Sequence, residues 1–103
     1  MAIAAINASA TGDTAMVAAV TSPGNKKIRV KRLVLSALAA NNVKIRSGTT
    51  DITGLIYLPA TTTVPIVANG DRDWLFETAA GQALNVNLSA ATAVGGWVEY
   101  TLE

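Results

Sequence analysis

Seven of the eight basic side chains fall between Lys26 and Arg46, and that cluster is the first place to look for chemistry. In Lys27-Ile28-Arg29-Val30-Lys31, a period of two sets Lys27, Arg29 and Lys31 against Ile28 and Val30. In Val43-Lys44-Ile45-Arg46 it sets Lys44 and Arg46 against Val43 and Ile45. If the two strands are neighbours in one sheet, the five cations form a basic ridge whose apolar side lies in the core. Such a ridge suits nucleic-acid phosphates, an acidic polysaccharide or a carboxylate-bearing protein surface. Its plainer meaning is a solvated face whose charges discourage edge pairing. Stacking on bases needs aromatics among the cations, and none lies between Lys26 and Arg46, which argues against nucleic acid. Arg32 breaks the alternation ahead of Leu33 and Leu35, predicting a bulge near Lys31-Arg32.

Catalytic chemistry has less to work with. The chain contains no His and no Cys, so it lacks the side chain that titrates near neutral pH and the strongest neutral-pH nucleophile. A Ser-His-Asp arrangement is impossible. The carboxylates Asp13, Asp51, Asp71, Asp73, Glu77, Glu99 and Glu103 stand mostly beside turns or at the chain end. Asp71 and Asp73 flank Arg72 after Asn69-Gly70, which invites a calcium reading, but the further ligands and closing Glu of an EF-hand loop are missing. Gly48 and Gly95-Gly96 fit no phosphate-loop spacing. The expectation is a protein that is not an enzyme and holds neither cofactor nor metal. Without thiols there is also no disulfide scaffold.

Surfaces therefore carry the functional reading. Trp97 alternates away from Val98 and Tyr100 beside Gly95-Gly96, which predicts that it faces outward. There it could stack on a sugar ring or anchor a subunit interface, and the enrichment of aromatics in interface cores favours the anchor. Residues 1–12 are rich in Ala, Asn and Ser and show no alternation. They are expected to be an arm outside a domain spanning 13–103, with Ile3 and Ile6 ordering against a partner. The opening apolar residues lack a basic n-region and are interrupted too soon for a signal peptide, and no apolar run approaches a membrane span. A net charge of +1 gives no global push toward nucleic acid or membrane.

The elements that must position these residues are short and β-branched, with turn residues every 8–12 positions or so, the spacing of a sandwich or barrel. Strands are predicted over Thr14–Val20, Lys27–Leu38, Val43–Ser47, Ile52–Leu58, Thr63–Ala68, Trp74–Glu77, Gln82–Ser89 and Val94–Leu102. Asn41-Asn42 and Asn69-Gly70-Asp71 read as turns. Pro65 marks an edge strand, because proline has no amide hydrogen to give a ladder. With about eight strands and no helix to cover a sheet, two sheets must cover each other. The predicted fold is all-β: an antiparallel, jelly-roll-like β-sandwich. Its core would be Val, Ile and Leu, with Trp74, Phe76, Trp97 and Tyr100 as larger fillers.

Three stretches carry a resemblance. They are Gly24-Asn25-Lys26-Lys27-Ile28-Arg29-Val30, then Asn42 through Gly54, then Trp74 through Ala90 followed by Val94-Gly95-Gly96-Trp97-Val98-Glu99-Tyr100. Together they resemble small β-sandwich virion proteins of tailed bacteriophages, most like capsid cement or decoration proteins. The strings are turns and strand patterns and hold no catalytic residue to transfer. The resemblance implies a homotrimer on the outer surface of the virion, made in the host cytoplasm, bracing the major capsid protein and stabilising the head. The rival reading is a tail-fibre or spike module that binds a host glycan or another virion protein. A glycan reader needs an exposed aromatic with convergent polar side chains, whereas a cement protein needs apolar faces to bury.

Overall fold

Buried and half-exposed residues alternate along the long strands, so each has one side in a core and one side out. The structure, a computed structural model, describes residues 2–67 and 74–103. Ten strands follow in chain order: β1 (Ala2–Ala8), β2 (Gly12–Val17), β3 (Ile28–Ala37), β4 (Asn41–Ser47), β5 (Thr50–Asp51), β6 (Ile56–Leu58), β7 (Thr62–Val67), β8 (Phe76–Glu77), β9 (Leu84–Leu88) and β10 (Val94–Leu102). The turn expected at Asn69-Gly70-Asp71 and the carboxylates Asp71 and Asp73 lie outside the described residues.

The antiparallel pairs nest one inside the next. β1 pairs β10, β2 pairs β9, β3 pairs β7 and β8, and β4 pairs β5 and β6. Rolling that long ribbon brings β10 beside β3 and β9 beside β4. The result is a front sheet in the order β1-β10-β3-β7, with β8 also on β3, and a back sheet in the order β2-β9-β4-β5, with β6 also on β4. This is a jelly-roll sandwich, the all-β fold expected from the turn spacing.

Between the sheets lie Ile28, Val30, Leu33 and Leu35 of β3, Val98 of β10, Val43 and Ile45 of β4, and Leu84, Val86 and Leu88 of β9, all buried. Phe76 and Tyr100 pack against this core from its margin. Trp97 and Trp74 do not, in contrast to the expectation that they fill it. At Gly96 the backbone of β10 lies so close to β3 that a Cβ would sit 1.8 Å from the Val34 carbonyl oxygen. Its φ of 129° is likewise one that side chains rarely adopt, so only glycine fits there.

Three expectations are corrected. Residues 2–8 are not an arm: they form β1, paired one-to-one with β10 from Ala2↔Tyr100 to Ala8↔Val94, with Ile6 and Ala8 buried. Alanine on both faces of this strand hides its alternation. Asn41 and Asn42 begin β4 rather than turning. Buried Asn41 donates through Nδ2 to Ala90 O at 3.0 Å and accepts from Ala90 N at 3.2 Å, clamping the loop after β9. The strand predicted over Ile52–Leu58 is broken: Ile52 and Thr53 turn back to donate their amides to Ile45 O, and pairing resumes only at β6. The predicted bulge is present, as β3 skips Lys31 between Arg32↔Glu99 and Val30↔Tyr100.

Candidate functional site

The five cations of the expected ridge do not share a face. Residues 38–40 carry the chain from β3 in the front sheet to β4 in the back sheet, so Arg29 and Arg46 sit on opposite outer surfaces of the sandwich. Lys27 precedes β3, and Lys31 is the bulged residue. Adjacency in sequence suggested adjacency in a sheet, but a jelly roll sends this connection across the core.

Four of the five cations, all but Lys31 among the described residues, are also paired with carboxylates of their own sheet. On the back sheet, Arg46 Nη1 donates to Asp13 Oδ2 at 3.1 Å, its Nε lies 3.0 Å from Asp51 Oδ1, and Nη2 donates to Thr49 O. Lys44 Nζ donates to Asp51 Oδ2 at 3.1 Å. Asn87 Nδ2 donates to Asp13 Oδ1 at 2.9 Å, and Asn85 Nδ2 to Gly48 O at 2.9 Å. Outward side chains on neighbouring strands thus bond to one another across most of this sheet. An acidic partner would have to displace carboxylates already in place.

On the front sheet, Arg29 stands directly opposite Glu77 and donates to its Oε2 from Nη2 at 3.1 Å. The same guanidinium lies 4.8 Å from the centroid of the Trp74 ring. Hydrogen bonding from Arg29, with the positive charge of Lys27 nearby, holds the Glu77 carboxyl below its ordinary value against an opposing cost of desolvation. Arg32 stands opposite Glu99, with Nε 3.1 Å from Oε1. Among the described residues, Lys26 and Lys31 form no ion pair.

The front sheet also presents an apolar row. The register aligns Ala5 of β1, Trp97 of β10, Val34 of β3 and Pro65 of β7 in one row across all four strands. Their neighbours along each strand point into the core, so this row points out. In the next row Ile3 and Val67, at 67% and 55% exposure, stand on either side of the Arg32–Glu99 pair. Trp97 stands where sequence alternation put it. Ile3 lies on the same surface, whereas Ile6 is in the core and offers nothing to a partner. Val34 was overlooked, although its place between the inward Leu33 and Leu35 is signal enough to set it outward.

On its other side the apolar row is followed by Asn7, Gly95, Ser36 and Thr63, and then by one end of the sandwich. The connections 9–11, 38–40, 59–61 and 89–93 gather there and contain no charged residue. Leu38 projects from that end at 72% exposure, and a shallow groove runs between it, residues 61–63 and Gly95. The front sheet thus carries an apolar row beside a charged row whose Arg32 and Glu99 are paired with each other. Among the described residues, no group of three or more His, Cys, Asp or Glu is placed to hold a metal. In comparisons with known proteins, no family model, no curated protein and no solved structure matches this chain.

Proposed function

We propose that this chain is a non-catalytic structural protein of a tailed-bacteriophage virion, a decoration protein that binds the outer capsid surface as a small closed oligomer. The observation that carries the reading is the apolar Ala5–Trp97–Val34–Pro65 row on the outer side of the front sheet. A decoration protein needs a surface that gains by leaving water on contact with capsid protein, and a buried Trp supplies the largest such gain of any side chain. The resemblance of the turn and strand strings to virion proteins supplies the context. The Trp97 surroundings favour protein over glycan: its cross-strand neighbours are Ala5 and Val34, and the nearest charged row is the mutually paired Arg32 and Glu99.

Counting copies in purified particles of the encoding phage tests the assignment. Hundreds of copies per particle, with binding of the purified protein to undecorated capsids, are expected. A handful of copies would move the protein to the tail, and absence from the particle would end the virion reading.

A further inference from the structure

A sheet edge is a row of free backbone donors and acceptors, and proteins protect such edges with proline, charge, bulges or shortness. Three of the four edges here are protected. β7 contains Pro65. β2 carries Asp13 and a register break between Ala15 and Val17. β5 and β6 are two and three residues long. β1 has none of these devices. It is seven residues, Ala-Ile-Ala-Ala-Ile-Asn-Ala, without charge, proline or bulge, and β10 occupies only one of its sides.

We infer that β1 pairs with β1 of a second copy of this chain, antiparallel about a twofold axis at Ala5, joining the two front sheets into one. The sequence of the strand selects its own copy as the occupant. A second copy presents an edge of the same seven residues, equally without charge or proline, and at the axis Ala5 meets Ala5 with no charge to repel its equivalent. An axis perpendicular to the sheet keeps core-facing residues on the core side, and centring it on Ala5 pairs all seven residues. In that register Ile3 lies opposite Asn7 and Ile6 opposite Ala4, a larger side chain against a smaller one each time. The pairing also joins the row Ala5–Trp97–Val34–Pro65 to its own copy, doubling the length of the apolar surface. The inference rests on the edge alone and does not depend on capsid binding.

The test is sedimentation of the purified protein with single substitutions at exposed Ala5. Wild type is expected to be a dimer at tens of micromolar. Ala5→Lys and Ala5→Glu should each be monomeric with unchanged circular dichroism, and an equimolar mixture of the two should regain the dimer. Ala15→Lys, the same change on the outward side of the β2 edge, should leave the dimer intact. Because the chain has no cysteine, Ala5→Cys gives a second readout: mild oxidation should crosslink it to a covalent dimer, since opposed strand positions lie within disulfide reach. A monomeric or trimeric wild type would overturn the inference. So would Ala5→Lys and Ala5→Glu variants that dimerise as wild type does, or an Ala5→Cys variant that fails to crosslink.

Discussion

The two outer faces of this sandwich are made by the same alternation and end in opposite states. The back face is polar and internally bonded over β2, β9, β4 and β5, with exposed Tyr57 on β6 beside it: Arg46 is held between Asp13 and Asp51, Lys44 lies on Asp51, and the Asn side chains of β9 complete the network. The front face keeps its ion pairs to one side of the row that holds Trp97, Val34 and Pro65. The back face therefore gains little from a partner, since its charged groups already have one. The front face gains whatever apolar area a partner covers, at about 25 cal/mol per Å². Exposed ion pairs contribute only about 0–1 kcal/mol each, so the back-face network tunes the surface rather than holding the fold.

The largest expected effect comes from the glycines under the two faces. Gly96→Ala places a methyl into the Val34 carbonyl at a forbidden φ, and should cost more than about 3 kcal/mol or prevent folding. Gly48→Ala, on the back-sheet side, has a φ of 57° and meets only the movable end of Gln82, so about 1–2 kcal/mol is expected. Urea unfolding measures both. Equal costs would mean that β10 and β3 are not held as closely as the front face requires.

Next in size is Ile6→Ala. Ile6 is a core residue at 2% exposure, and its truncation should cost about 2–5 kcal/mol. A melting temperature equal to wild type would restore residues 1–12 to an arm and remove Ala5 and Ile3 from the front face.

The smallest effect separates the flank of the front face from its centre. The folded pKa of Glu77 is depressed, so its pairing with Arg29 and Lys27 stabilises the protein above the ordinary glutamate pKa. That contribution fades as pH falls through the lower folded value. The melting temperatures of wild type and Glu77→Gln should therefore differ at neutral pH and converge in acid. A difference that stays constant with pH would show that the Arg29–Glu77 pair does not form in solution.

Much of this was legible in the sequence, and the failures have physical causes. Turn residues and alternation located most of the strands, Pro65 marked an edge, and the misfit of Arg32 located the bulge at Lys31. β1 was missed because Ala2, Ala4, Ala5 and Ala8 give no contrast between its faces. Asn41 read as a turn because its chemistry is a turn's chemistry, yet it is spent tertiarily on residues 90 and 92. The ridge failed at a different level. Alternation gave the correct outward sense for Arg29, Lys44 and Arg46, but which sheet a strand joins is decided by long-range pairing, on which local pattern is silent. For the same reason the front-face row could not be read: Ala5, Val34, Pro65 and Trp97 are far apart in the chain and meet only through register.

The proposed contact surface is the front face, not the basic ridge. Binding to undecorated capsids by Trp97→Ser and by the double variant Lys44→Ser, Arg46→Ser compares the two faces directly. Loss of an interface anchor costs about 2 kcal/mol or more, so Trp97→Ser should weaken binding at least about 30-fold while its melting temperature stays near wild type. The double variant should bind within about twofold of wild type, as expected of charges that already have partners. Full binding by Trp97→Ser, with binding lost in the double variant, would contradict the account and return the contact to the charged face.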